Sequence, residues 1–145
     1  MQKKISLIIL LTLVLLSCNS KVKTDEYHYM VYQAIHNKDT AILSLNINDK
    51  RFYGQYEVSH YKIGKDSGDV RGRIEGDTLY GLFNYISYGG GLKRMPLAFL
   101  KKKNQLFLGT GVIGTYMNIP CFIPEIPIQY DNAEFVFKEI KTPLN

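Results

Sequence analysis

Most of the chain alternates apolar and polar residues at every second position, a spacing typical of half-buried β-strands. Leu43, Leu45 and Ile47 alternate with polar residues, and Phe52 to Val58 repeats this pattern after the turn Asn48-Asp49-Lys50. We predict a first strand from Tyr27 to Ile35, although a short helix there remains an alternative. Stretches with the 3.6-residue period of an amphipathic helix are missing elsewhere. The pattern therefore predicts an all-β protein.

Turn signals separate the later strands. Val70 to Ile74 and Thr78 to Ser87 flank the hairpin turn Gly76-Asp77. The second of these strands is apolar on both faces and is expected to be covered on both sides. The run Lys65 to Asp69 is polar and contains a glycine, which predicts another turn. Tyr88 to Leu92, with three successive glycines, is expected to be an open loop.

The last third of the chain predicts one more hairpin and a closing strand. Met95 to Leu100 and Gln105 to Val112 flank Lys103-Asn104, and Ala133 to Ile140 follows an irregular segment. That segment is irregular because proline donates no hydrogen bond to a strand ladder, and it contains Pro120, Pro124 and Pro127. Eight to nine short strands joined by tight turns form an antiparallel meander. We expect the meander to close as a small barrel, with a β-sandwich as the alternative.

The first 17 residues differ from the rest. Lys3 and Lys4 precede an apolar run from Ile5 to Leu16, which is shorter than the roughly 20 residues that span a membrane and matches a secretory signal peptide. The run ends in Leu15-Leu16-Ser17-Cys18, which resembles the lipobox of bacterial lipoproteins. The resemblance implies cleavage before Cys18, a lipid thioether on its sulfur and acylation, with palmitate for example, of its new amine.

These observations predict three segments: a signal peptide over 1–17, a lipidated tether over 18–26 and a β-barrel domain over 27–145. The protein is then expected in the cell envelope, most simply on the outer membrane, held by lipid on Cys18. With that sulfur in a thioether, Cys121 has no cysteine to pair with. We expect Cys121 to be a small buried hydrophobe that reacts slowly with thiol reagents.

A second resemblance concerns residues 68–114. They contain Gly-Asp-Val-Arg-Gly-Arg-Ile-Glu-Gly-Asp-Thr-Leu, an aromatic strand, a glycine-rich loop, Met-Pro-Leu-Ala-Phe-Leu and Leu-Phe-Leu-Gly-Thr-Gly. This stretch is similar to small uncharacterised bacterial lipoproteins with a lipocalin-like barrel. The resemblance implies a fold and a location, and it carries over no catalytic residues.

The net charge and the spacing of reactive residues argue against several classes of function. The formal net charge is +5, and two of the lysines leave with the signal peptide, so we expect no nucleic-acid partner. Lys101-Lys102-Lys103 is interpreted as a solvated turn. The three histidines, His28, His36 and His60, lack metal-ligand spacing, so no metal site or cofactor is predicted. No motif for nucleophilic or phosphate chemistry is present, and an enzyme is the least favoured class.

The tyrosine content suggests a binding site, because tyrosine combines apolar area with one polar group. We predict a barrel mouth lined by aromatic residues and one arginine, namely Tyr80, Tyr85, Tyr88, Arg94 and Tyr116. Ordinary strand packing of these tyrosines is the alternative explanation. The sequence thus favours a monomeric, lipid-anchored module that binds a small apolar or amphipathic ligand. The alternative is an envelope-structural or inhibitor-like module that contacts a protein partner.

Overall fold

The structure is a computed structural model that describes residues 26–140. The signal peptide, Cys18 and the last five residues lie outside this range. The described residues form ten strands, whose bounds are β1 His28–His36, β2 Asp39–Ile47, β3 Arg51–His60, β4 Gly64–Glu75, β5 Thr78–Ile86, β6 Leu92–Lys102, β7 Gln105–Leu108, β8 Ile113–Tyr116, β9 Ile119–Phe122 and β10 Val136–Ile140.

Eight of the strands close into one antiparallel barrel in the order β1-β10-β7-β6-β5-β4-β3-β2. Closure comes from β10, which pairs with β1 through Gln33↔Lys138 and with β7 through Lys138↔Gln105. The all-β meander barrel predicted from the sequence is therefore confirmed, and the sandwich alternative is wrong. Strand β1 begins one residue later than predicted, at His28, so the helical alternative for Tyr27 to Ile35 is also wrong.

The barrel has two different ends. At one end, here called the terminal end, lie Glu26 and the tight connections at 48–50, 76–77 and 103–104. β10 also runs towards this end, since it is antiparallel to β1. At the opposite end, here called the loop end, lie the turns at 37–38 and 61–63 and the loop at 87–91. Both limits of the described chain thus face the terminal end.

One turn prediction is wrong. Lys65 to Asp69 lies inside β4, and the chain reverses earlier, at residues 61–63, where Lys62 has a φ of 58°. This polar run pairs with β3 on one side, Asp69 lying opposite Gln55, and with β5 on the other, Gly68 lying opposite Tyr85. The hydrogen bonds of two neighbouring strands therefore override the local turn preference of this run.

Glycines allow the strands to bend tightly around the core. Gly72 and Gly81 lie opposite each other on β4 and β5. A Cβ on Gly72 would stand 1.9 Å from the carbonyl oxygen of Tyr80, a distance that no side chain tolerates. Inside the barrel, the largest completely buried side chains are Phe52, Phe99, Phe137, Leu43, Leu45, Leu106 and Val70.

Most of the connection between β7 and β10 packs outside the barrel, whereas its last residue, Phe135, is buried in the core beside Phe137. Its β8–β9 hairpin contacts β6, and the amide of Gly109 donates to the carbonyl of Ala98 at 2.8 Å. Ala98 faces away from the lumen yet is completely buried. β5 and β6 are thus covered outside as well as inside, which agrees with the two apolar faces of Thr78 to Ser87. The irregular segment predicted from its prolines contains the short strand β9.

Candidate ligand site

A cavity of about 980 Å³ opens at the terminal end of the barrel. Its inner wall is apolar and includes Met30, Ile74, Leu79 and Leu106. Its rim is polar and carries charges of both signs, from Glu26, Asp49, Lys50, Asp77 and Lys101. This volume, with an apolar wall and polar groups at the entrance, lies in the range of small-molecule sites, about 300–1,000 Å³.

Aromatic side chains close the lumen beyond this cavity. The ring centroid of Tyr56 lies 4.8 Å from that of Phe83 and 5.9 Å from that of Phe137, and Phe99 lies 5.6 Å from Phe137. All four are buried. The barrel is therefore not an open channel, because these rings fill its middle. They separate the cavity at the terminal end from a smaller one, about 290 Å³, that lies at the loop end beside Val58 and Tyr85.

Tyr32 places one hydroxyl on the wall of the cavity. The hydroxyl donates to the Sδ of Met30 at 3.3 Å, a weak acceptor. Burial, aided by the negative charge of Glu139, raises the pKa of Tyr32 to about 12. The hydroxyl is therefore neutral at ordinary pH and can donate a hydrogen bond to a ligand.

The five residues predicted for the barrel mouth are not brought together. Tyr85 points into the barrel at the loop end and stacks on Phe83 at 4.4 Å, whereas Tyr80 is on the outer face, beneath the Arg73 guanidinium. Arg94 is also outside and donates to Asn84 at 2.6 Å. Tyr116 is 72% exposed on the β8–β9 hairpin. Tyr85, Tyr88 and Arg94 all lie towards the loop end, but Arg94 is on the outer face, so no single mouth contains all five residues.

The loop end contains a cluster that the sequence did not indicate. The ring of His60 lies between two carboxylates, with Nδ1 3.3 Å from Asp39 Oδ2 and Nε2 3.2 Å from Asp66 Oδ2. The other oxygen of Asp39 accepts the amide of Tyr61, and that of Asp66 accepts the amide of Tyr88, both at 2.8 Å. This cluster joins the ends of β2, β3 and β4 to the loop at 87–91. We call it the His60 clamp.

The pKa values follow from this geometry. Burial alone would lower the pKa of His60, but the hydrogen bonds and charges of Asp66 and Asp39 outweigh it and raise the pKa above its usual value. The Tyr61 amide and then His60 hold the pKa of Asp39 below its usual value. Sequence spacing could not show the clamp, since its members are brought together only by strand register. Among residues 26–140, no three His, Cys, Asp or Glu side chains converge closely enough to hold a metal ion.

Cys121 lies on β9 and is free, but it is only partly buried. Its side chain is therefore less buried than the sequence predicted, because β9 packs against the outside of the barrel rather than within its core.

Comparison with known proteins adds no assignment, since no family model, curated protein or solved structure matches the chain. No helix within residues 26–140 is long and apolar enough to cross a membrane.

Proposed function

We propose that the protein is a lipid-anchored envelope lipoprotein that binds a small apolar or amphipathic ligand without transforming it chemically. The observation that carries this proposal is the cavity at the terminal end, with its apolar wall and charged rim. A packed barrel without a binding role would gain stability from filling this volume, because empty apolar space forfeits dispersion contacts.

The position of the cavity supports a role close to a membrane. The proposed lipid on Cys18 is joined to the barrel by a short segment that enters β1 at the terminal end. The cavity would therefore open towards the anchoring membrane, from which apolar molecules could enter. Labelling cells with a fatty-acid probe tests the anchor: Cys18→Ser should abolish incorporation, and incorporation equal to that of the unaltered protein would refute it.

A substitution that fills the cavity tests whether a ligand binds there. Ile74 lines the cavity, whereas Ile42 lies on the outer side of β2. The chain contains no tryptophan, so each Ile→Trp variant also introduces a single fluorophore. Native mass spectrometry of the domain beginning at Asn19 should show a co-purified small molecule. Ile74→Trp should lose that molecule and Ile42→Trp should keep it. Equal retention by both folded variants would place the ligand elsewhere.

A second function, contact with a protein partner, is favoured by exposed apolar side chains at the loop end. Leu92 is 79% exposed, Ile86 63% and Ile63 66%, and Tyr88 lies beside them on the loop. Apolar groups clustered in this way often mark interaction surfaces. A photo-crosslinking residue at Leu92 should then capture one discrete partner in cells, whereas the same residue at Gln55 should not. Identical products at both positions would exclude this function.

A further inference from the structure

A second cavity, about 840 Å³, lies outside the barrel. It is enclosed between the outer face of β4–β6 and residues 119–130 of the β7–β10 connection. We call it the outer groove. Its apolar wall is made largely of Leu82 and Pro96 on the barrel and of Phe122, Ile123, Ile126 and Ile128 on the connection.

Arginines occupy the opposite side of the outer groove. Arg51 and Arg73 are paired in register on β3 and β4, and Arg71 lies two residues before Arg73 on the same face. The one acidic residue in the lining is Glu75, which forms an ion pair with Arg73. Within residues 26–140, Arg51 and Arg71 have no carboxylate partner. The outer groove is thus apolar along one wall and carries uncompensated positive charge along the other.

A third group in the groove is poorly paired. The hydroxyl oxygen of Tyr130 is buried, and no group within residues 26–140 forms a regular hydrogen bond with it. Burial, with a smaller contribution from Tyr80, raises the pKa of Tyr130 to about 12, and a weak hydrogen-bonding interaction with the Thr78 side chain lowers it only slightly. Leaving a buried hydroxyl without a hydrogen bond costs about 1–3 kcal/mol, so such groups normally have a partner. A ligand in the outer groove could supply it.

We propose that the outer groove binds an anionic amphiphile, a molecule with one apolar chain and one acidic head, such as a long-chain carboxylate. The head group pairs with Arg51 and Arg71, which offer planar donor groups suited to carboxylates. The apolar chain lies along the isoleucines of the connection. This site is separate from the cavity at the terminal end and does not depend on it.

If the arginines bind the head group, a probe with a negative charge should depend on them and an uncharged probe of the same shape should not. We choose cis-parinaric acid, which fluoresces in apolar surroundings, and its methyl ester, which has the same chain without the charge. The acid should bind the Asn19–Asn145 domain saturably. The double variant Arg51→Gln/Arg71→Gln should bind it at least tenfold more weakly, while affinity for the ester changes less than twofold. The conservative variant Arg51→Lys/Arg71→Lys should keep most of the affinity for the acid.

The control variant is Lys50→Gln/Lys101→Gln, which removes two charges from the rim of the other cavity. It should leave binding of the acid unchanged. If this control loses affinity instead, the acid binds at the terminal end, and the outer-groove proposal fails while the proposed function gains support. Saturable binding that is insensitive to the arginine substitutions, or no binding up to the solubility limit of the probe, would also overturn the proposal.

Cys121 provides a local test of position, because it lines the outer groove and is the sole cysteine of the Asn19–Asn145 domain. Reaction of its thiol with the neutral reagent N-ethylmaleimide, followed by mass spectrometry, should slow at least threefold when cis-parinaric acid is saturating. An unchanged rate at saturation would show that the probe is bound elsewhere and would refute the site.

Discussion

The ring of Phe52 reaches across the barrel interior to Gly81, two strands away. A Cβ added to Gly81 would stand 2.7 Å from the Cζ of Phe52 and 2.7 Å from the carbonyl oxygen of Arg71. Phe52 is buried to 1% exposure and cannot move into solvent. The size of the residue at position 81 is therefore limited by the aromatic ring that packs on it, together with the backbone of Arg71.

We expect Gly81→Ala to lower the free energy of unfolding by about 1–3 kcal/mol, the usual cost of overpacking a core. Urea denaturation followed by circular dichroism measures the effect. Phe52→Leu should relieve part of the clash, so the double variant should lose less stability than the two single variants together. Strict additivity would show that the Phe52 ring does not limit position 81.

The glycines of the loop at 87–91 should differ in their tolerance of alanine. Gly90 has a φ of 80° and Gly91 a φ of 84°, the left-handed region that costs other residues about 1–2 kcal/mol. Gly89 lies outside that region and has no atom within 4 Å of an added Cβ. Gly90→Ala should thus lower the melting temperature, while Gly89→Ala should leave it nearly unchanged. Equal effects would show that the loop does not hold these dihedral angles in solution.

The His60 clamp should make stability depend on pH. The folded pKa of His60 is raised, so its contribution is complete below its unfolded pKa of about 6.5 and is lost as pH rises through the folded value. The pKa of Asp39 is lowered, so its contribution is present above about 3.8 and is lost as pH falls through its folded value. The clamp should be strongest between about pH 4 and 6.5.

Urea denaturation across this range tests the clamp. The difference in stability between the unaltered protein and His60→Gln should be largest near the acidic side of neutrality and should shrink as the pH rises through the raised pKa of His60. His28→Gln is the control, since His28 shows no comparable carboxylate pair. A difference that does not vary with pH would mean that His60 is not charged between the two aspartates.

Buried tyrosines should make the fold sensitive to alkali. Burial raises the pKa of Tyr32 and of Tyr130 to about 12 and that of Tyr56 further. In the unfolded chain the tyrosine hydroxyls ionise near pH 10. The free energy of unfolding is therefore retained below about pH 10 and falls as the pH rises above it. Absorbance at alkaline pH should show these tyrosines ionising after the exposed ones. Simultaneous ionisation of all eleven tyrosines in the folded protein would contradict the burial described here.

The sequence predicted turns correctly where the local turn residues agree with the pairing of the flanking strands. Gly76-Asp77 and Lys103-Asn104 turn where predicted, because each connects strands whose apolar residues already alternate. Lys65 to Asp69 was misjudged because pairing with two neighbours outweighs local composition. The choice between barrel and sandwich rests on contacts such as Gln33↔Lys138, which no local pattern contains.

The candidate site was less predictable than the fold. Alternation along β1 places Met30 and Tyr32 on one face, but it does not show which end of the barrel stays unfilled. The predicted set failed to assemble because Tyr80 and Arg94 fall on the outer face, whereas Tyr85 falls inside. Asp39, His60 and Asp66 meet only because β2, β3 and β4 end at the same level.

The position of β10 between β1 and β7 also determines when the molecule can be completed. During synthesis, β1 is made first, yet one of its edges has no partner until residues 136–140 have been added. A partly made chain is therefore an open, curled sheet whose ring of hydrogen bonds cannot be joined. Such a chain is easier to unfold than the finished barrel, because an edge of its sheet has no hydrogen-bonding partner. The cooperative stability of the closed barrel is therefore gained only when β10 has been synthesised and pairs with both β1 and β7.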